Sequence, residues 1–297
     1  MGTLQVVATP IGNLDDVTLR SLQVLREAQH LYAEDTRRVR TLLSRHEIAA
    51  RPISLYAENE EGRVAEILEK LERNESVVVV SDAGTPLISD PGARLVAAVA
   101  DAGHRVEGIP GPSAVLTALS VCGLRVQPFT FVGFLPRKPG ARKRLLETYV
   151  NRSETFVIFE SPNRLGQTLL DLVEVAGSSR KACVCRELTK LHEEVFRGDL
   201  GMLAGRFSGP VRGEITIVVE GSEEAKAGVV KIRLEEADLA GRILELVDEG
   251  KRPREIATQL SSQSDVPRRE IYARAVAAKK QNSSLGEAGL TKGETSR

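Results

Sequence analysis

Val77-Val78-Val79-Val80-Ser81-Asp82-Ala83-Gly84-Thr85-Pro86 holds the reading that decides the fold. Four β-branched residues without polar alternation suit a short strand covered on both faces, as in a parallel sheet flanked by helices. The run stops abruptly in a polar, Gly- and Pro-bearing turn. Downstream, Pro91-Gly92 precedes a helical pattern carrying Leu95, Val96 and Val99. A strand follows at Arg105–Ile109, then the turn Pro110-Gly111-Pro112-Ser113 and an Ala/Leu-rich helix ending near Gly123. Upstream, the apolar run Leu4–Ala8 stops at Thr9-Pro10-Ile11-Gly12-Asn13. Asp15 and Asp16 are then placed to cap a helix bearing Val17, Leu22, Leu25, Ala28 and Leu31. Strands alternating with helices of this length predict a mainly parallel α/β sheet.

A break near Gly123–Pro128 closes this first α/β domain, residues 1–123. Strand signals at Phe129–Val132, Phe156–Phe159, Ala182–Arg186 and Glu214–Val219, with a helix at Arg164–Ala176 capped by Gly177, predict a second α/β domain over 124–221. Residues 222–234 read as a polar linker. Three short helices are expected within 235–280: Ala237–Glu249, Pro253–Ser261 and Pro267–Lys279, with Pro253 and Pro267 in first turns. They share a small core of Ile243, Leu246, Val247, Ile256, Leu260, Ile271 and Ala275, a helix-turn-helix-like unit with a basic last helix. Residues 281–297, rich in polar and small side chains, read as a disordered tail.

Composition narrows the function. The 297 residues are 41% hydrophobic and 28% charged, enough apolar material for a sizeable core. Lys plus Arg and Asp plus Glu both number 41, so no global field draws the chain to polyanions, and nucleic-acid contact would need local basic patches. Aromatics are 4% and Trp is absent, which argues against an extended base-stacking platform. Three cysteines make no disulfide framework, and no run of about 18 apolar residues is present. The expectation is a cytoplasmic chain without a membrane span.

In a parallel sheet, ligands collect outside the carboxyl ends of the strands. Three turns sit there: Thr9–Asn13, Ser81–Pro86 and Pro110–Ser113. Each alone could be a tight connection that needs Gly and Pro for geometry; three converging on one sheet edge favour a ligand site, with Asp82, Thr85 and Ser113 as polar contacts. No GxGxxG follows the first strand, and no GxxxxGK[ST] or GxSxG occurs. The four histidines lack metal-ligand spacing, and Cys183 and Cys185 would share one strand face as packing residues, so no metal is expected. Glu34-Asp35-Thr36-Arg37-Arg38, after the first helix, and Arg186-Glu187-Leu188-Thr189-Lys190, after a strand, are either surface ion-pair clusters or parts of the site. Leu135–Arg144 holds five basic residues and no acid. It is either a solvated helix start or a flexible phosphate-binding loop.

Taken in order, Thr9-Pro10-Ile11-Gly12-Asn13-Leu14, Glu34-Asp35-Thr36-Arg37, Ser81–Pro86 with Ser89-Asp90-Pro91-Gly92, Pro110-Gly111-Pro112-Ser113-Ala114, Gly133-Phe134-Leu135-Pro136, Glu160-Ser161-Pro162-Asn163-Arg164, Arg186–Lys190 and Gly213-Glu214 resemble a known family. It is the ribosomal RNA small subunit methyltransferase I family, 16S rRNA cytidine 2′-O-methyltransferases of the tetrapyrrole-methylase-like class. The resemblance covers about residues 3–221 and the helical unit. It implies two α/β domains of that class, S-adenosylmethionine as cofactor in the cleft between them, 16S rRNA of the small ribosomal subunit as substrate, and a homodimer. Carried over by motif, it implies cofactor contacts at Pro10, Asp82, Ala83, Gly84, Thr85, Ser113, Ala114, Glu160, Leu188, Gly213 and Glu214. The implied reaction is in-line methyl transfer to a ribose 2′-oxygen. Asp82, Glu187 or Glu214 would accept the proton, and Arg186 or Lys190 would supply a cation. RNA contacts are expected from Arg137, Lys138, Arg142, Lys143 and Arg144, and from Arg268, Arg269 and Arg274 in the last helix.

Two other readings stand beside this one. One is a methyltransferase of the same class acting on a tetrapyrrole or a protein side chain, for which the basic segment and helical unit have no use. The other is a metabolite-sensing helix-turn-helix regulator, whose last helix offers few side chains for base readout.

Overall fold

The computed structural model describes residues 2–89, 92–222, 236–261 and 266–288; for 236, 237 and 280–288 it describes the backbone. The chain divides into two compact units, residues 1–222 and 223–297.

The first unit opens with β1 (Thr3–Val7), α1 (Leu19–Glu27), β2 (His30–Ala33), α2 (Thr36–Arg45), β3 (Pro52–Ser54) and α3 (Glu60–Glu72). It continues with β4 (Val77–Val80), α4 (Ala93–Asp101), β5 (Arg105–Ile109) and α5 (Ala114–Val121). The five strands form one all-parallel sheet in the order β3-β2-β4-β1-β5. All four valines of β4 are buried, and the pleat sends them to opposite sides. Val78 and Val80 join Leu22, Leu25, Leu42 and Leu43 of α1 and α2. Val77 and Val79 join Ile67, Leu71, Leu95 and Val99 of α3 and α4.

The region before β4 corrects the sequence reading. Asp15 and Asp16 do not cap α1. The Asn13 side chain accepts from the Asp15 N–H at 3.1 Å and opens a 3-10 turn over Leu14–Asp16. Thr18 then caps α1 by accepting from the Ser21 N–H at 3.1 Å. The helix ends at Glu27, and Leu31 lies in β2. A buried four-residue strand directly after a helix continues its apolar pattern, so periodicity alone merges the two. The consequence is functional: Glu34–Arg38 follows a strand's carboxyl end.

A second sheet follows, built from β6 (Phe129–Phe134), α6 (Pro139–Val150), β7 (Thr155–Glu160), α7 (Leu165–Ala176), β8 (Lys181–Arg186), β9 (Glu194–Asp199), α8 (Leu200–Arg206) and β10 (Ile215–Val219). Its order is β6-β7-β10-β8-β9. Only β6 and β7 pair in parallel. Helices α6, α7 and α8 cover one face through Leu146, Leu165, Leu169, Leu172 and Leu203. On the other face, Val157, Cys183, Cys185 and Val218 pack against Val115, Ala118 and Leu119 of α5 and Cys122, which caps its end. The two cysteines are core residues, as their spacing predicts, and α5 joins both sheets into one unit.

Pro139 starts α6, so Arg137–Arg144 is largely a helix and not a flexible loop. Arg142 is a further correction. It is 3% exposed, and its Nε donates to Asp171 Oδ2 of α7 at 2.6 Å. Gln167 Nε2 donates to the other Asp171 oxygen at 3.0 Å. Lys143 pairs with Glu174 at 2.5 Å, while Arg137, Lys138 and Arg144 are solvent-facing or partly so.

The second unit contains α9 (Glu236–Asp248), α10 (Pro253–Leu260) and α11 (Arg268–Ala288). Leu239, Ile243, Leu246, Val247, Ile256, Leu260, Ile271 and Ala275 form its core. Helix α11 runs on through residues 281–288, the first part of the stretch read as a tail. Residues 223–234 of the expected linker and 289–297 of the expected tail lie outside the described residues.

Candidate active site

The loops after β1 and β4 are tied together at the carboxyl edge of the first sheet. Thr9 N–H donates to Gly84 O at 2.9 Å, and Gly84 N–H returns the bond to Thr9 O at 3.0 Å. The Thr9 hydroxyl donates to Ser81 O, and the Ser81 hydroxyl to Gly84 O. Gly84 sits at φ +81°, which favours glycine. The third turn joins through Thr85, whose hydroxyl donates to Pro112 O at 3.2 Å. A Cβ on Gly111 would stand 2.9 Å from that of Ala8, so only glycine allows that approach. All three sequence-predicted turns therefore meet.

Opposite them lie the ends of β6 and β7 and the start of β10. Between the two sheets is a crevice of about 410 Å³. Its lining includes Asp82, Ala83, Gly84, Thr85, Ser113 and Ala114 from the first sheet's loops, and Glu160, Gly213 and Glu214 from the second's. It also includes Ile11, Arg38, Ile88, Ser89, Phe134, Phe159, Ser161, Pro162 and Thr216, which the sequence did not single out as site residues. Phe134 is 59% exposed, edge-on to Phe159 at 5.7 Å, and offers an aromatic wall. Its place at a strand's carboxyl end was the available signal.

Two expected contacts fall outside the lining. Pro10 is buried, and Leu188 belongs to the cluster around α5. Glu160 lines the crevice, but its carboxylate is fully buried. It accepts from Ser161 N–H and the Thr168 hydroxyl, both at 2.7 Å, and lies 3.3 Å from Arg164 Nε.

Among the expected acid–base groups, Arg186 turns away: it pairs with Glu194 and donates to Arg212 O. Glu187 and Lys190 form the seam between the halves, beside the crevice. Glu187 Oε1 accepts from Lys190 Nζ at 2.8 Å and from Glu214 N–H at 2.9 Å, and Lys190 also reaches Glu214 Oε2 at 3.1 Å. The Lys190 bond, chiefly, holds the Glu187 carboxyl below its ordinary range. Burial lowers the Lys190 ammonium, but its bonds to Glu187 and Glu214 outweigh this and raise it. Glu187 is therefore ionised and Lys190 charged at neutral pH, and the pair positions Glu214. From the first half, Asn13 N–H donates to Thr189 Oγ1 at 3.0 Å, and a Cβ on Gly12 would stand 2.5 Å from Lys190 Cγ.

This seam should weaken in acid. A carboxylate whose folded pKa is depressed adds stability that is fully present above its unfolded pKa of about 4.3 and lost as pH falls through the folded value. Thermal melts from about pH 5 to pH 3 should show a steeper loss for the native chain than for Glu187→Gln. Parallel curves would remove the carboxylate from the seam.

Asp82 is the carboxylate on the first-sheet side. Its Oδ1 accepts from Asp35 N–H at 2.7 Å, and its Oδ2 lies 3.6 Å from Arg38 Nε. Burial first, and the Asp82 charge second, push the Glu34 carboxyl upward. The bonds to Arg37 hold half-buried Asp35 at about 2. The Glu34–Arg38 cluster thus belongs to the site's rim, and Arg38 rather than Arg186 is the cation that lines it.

The model of the family of tetrapyrrole (corrin/porphyrin) methylases matches residues 3–204. A uroporphyrin-III C-methyltransferase from Thermus thermophilus, solved complexed with S-adenosylhomocysteine, superposes with a TM-score of 0.52 at 19% identity, covering 76% of this chain and all of that one. The fold and site define a methyltransferase of the tetrapyrrole methylase class. Ribosomal RNA small subunit methyltransferase I of Mycobacterium tuberculosis (strain CDC 1551 / Oshkosh) is 43% identical over 274 residues, 91% of this chain and 93% of the relative. That of Xylella fastidiosa is 41% identical, covering 91% and 98%. The chain belongs to the ribosomal RNA small subunit methyltransferase I family.

Proposed function

We propose that the crevice binds S-adenosylmethionine and that the chain methylates a cytidine ribose 2′-oxygen in the decoding region of 16S rRNA. The observation that supports this most is the meeting of three strand-end turns with Phe134, Phe159 and Glu214 around one cavity. Its volume lies in the range of small-molecule sites. Phe134, Phe159, Ile11 and Ile88 offer apolar surface to an adenosine. Asp82, and the first turn of α5 at Ser113–Val115, offer polar and partly positive groups to an amino-acid end. Bound there, the cofactor supplies a methyl group already activated on sulfonium.

The protein's own tasks are then alignment and proton handling. Asp82 and Glu214 line the crevice from opposite sides, and either carboxylate can accept the hydroxyl proton. Arg38 can stabilise the forming alkoxide. Glu187 and Lys190 act through Glu214, as positioning residues.

The test is incubation with labelled S-adenosylmethionine and either 30S particles or a tetrapyrrole. Label in a cytidine ribose of 16S rRNA is expected. Label in tetrapyrrole alone would favour the other branch of the class. Among the described residues no helix is long and apolar enough to cross a membrane, and both substrates can be offered in solution. A chain ending at residue 222 keeps the whole crevice. It should bind S-adenosylhomocysteine within about twofold of the full chain in calorimetry, while methylating particles at least roughly tenfold more slowly, as loss of a second RNA contact predicts. Loss of cofactor binding would contradict this division of labour.

A further inference from the structure

We propose that the groove between α10 and α11 binds unpaired RNA, with Arg254, Arg268 and Arg269 on its phosphates and Tyr272 stacked on a base. The choice of RNA rests on the rRNA reading above; the groove itself stands on separate observations.

The second unit is electrically two-sided along its sequence. Residues 236–249 contain five acids and one arginine, whereas residues 251–280 contain eight Lys and Arg against three acids. The basic part holds an open groove of about 410 Å³ lined by Arg254, Ala257, Arg268, Arg269 and Tyr272. Arg254 stands on α10 and the other two arginines on the first turn of α11. Of these three acids, the two that lie among the described residues are engaged elsewhere: Glu270 pairs with Arg274 at 2.6 Å, and the Glu255 carboxylate accepts from Arg252 N–H at 3.0 Å. Arg268 donates to Thr258 Oγ1 at 2.8 Å. The guanidinium groups of Arg254 and Arg269 have no partner among the described residues. Cations left unneutralised in a concave surface are what a phosphate backbone displaces counterions to reach.

Tyr272 sets the kind of nucleic acid. It is the only aromatic residue of 223–297. It lies outside the unit's core and is 43% exposed. Three and four residues after Arg269 and Arg268, it shares their side of the helix. A duplex hides its base faces inside the stack, so a lone exposed ring among phosphate-binding arginines fits a strand whose bases are free to stack. Arg274, committed to Glu270, is not among the groove residues.

The test uses the full chain and an unstructured, end-labelled RNA of about twelve nucleotides, followed by fluorescence anisotropy at several salt concentrations. Tyr272→Ala should weaken binding roughly tenfold and Tyr272→Phe should restore it, because stacking needs the ring and not the hydroxyl. Arg254→Glu and Arg269→Glu should each weaken binding and flatten the salt slope by about 0.7 per lost phosphate contact. Arg242→Gln on the acidic helix should stay within about twofold of the native chain, the range of an uninvolved surface change.

Unchanged affinity in Tyr272→Ala, or a blunt duplex bound as tightly as the single strand, overturns the proposal. Methylation of 30S particles on the same preparations keeps the two claims apart. Particles methylated normally, with RNA affinity indifferent to the groove variants, sink the groove and leave the rRNA reading standing. Tyr272-dependent RNA binding without any particle methylation does the reverse.

Discussion

Gly84→Val should give a folded chain that binds S-adenosylhomocysteine some tenfold to a hundredfold more weakly, about 1.4–2.7 kcal/mol. Gly84 is held at φ +81° by its paired bonds to Thr9, where an L residue costs about 1–2 kcal/mol and a β-branched one more. A Cβ there would also press to 3.3 Å from Ile11 Cγ2. Relief requires the loop to move, and that loop carries Asp82, Ala83 and Thr85 along the crevice. The control is Gly62→Ala in α3, where a Cβ meets nothing within 4 Å; its affinity should match the native chain. Circular dichroism checks the fold and calorimetry the affinity. Native-like binding by a folded Gly84→Val chain would separate the turn from the ligand site.

Asp171→Ala should be the most damaging change outside the crevice. Arg142 and Asp171 have side chains 4% and 2% exposed. Removing the carboxylate strands a guanidinium in the α6–α7 interface, at a cost of about 3–5 kcal/mol. In a unit of this size that lowers the melting temperature by roughly 10 °C. Replacing both partners, Arg142→Met with Asp171→Leu, should return stability to within about 1–2 kcal/mol of the native chain, since the desolvation penalty vanishes with the charges. Urea titration of the single and double variants reads this directly. A single variant as stable as the native chain would mean that the pair is wetter than its geometry shows.

These residues also mark where reading the sequence stops. Val77–Val80 and the turn after it reveal a doubly covered strand and a ligand edge because both signals are local: β-branching without alternation, then Gly and Pro where the chain must turn. The same holds for Ser113, which follows a strand and caps α5. Local pattern fails where a partner lies far along the chain. Arg142 sits in a run that looks like a basic loop, and only Asp171, 29 residues on, makes it a core residue. Arg186 follows a strand, as a site residue should, yet Glu194 on β9 draws it aside. His30–Ala33 merged with the helix before it, which hid the strand that carries Glu34–Arg38 to the rim. Phe159 reads as an ordinary strand residue, and Phe134 lies beyond the predicted strand end at Val132, until the sheet order sets both opposite the three turns.

A structure of the chain with S-adenosylhomocysteine is the most direct examination of the central claim. Ligand density between the Asp82–Thr85 loop and Phe134, with its amino-acid end near Asp82 or the first turn of α5, is the expected result. A ligand bound elsewhere, with this crevice open to solvent, would contradict the account.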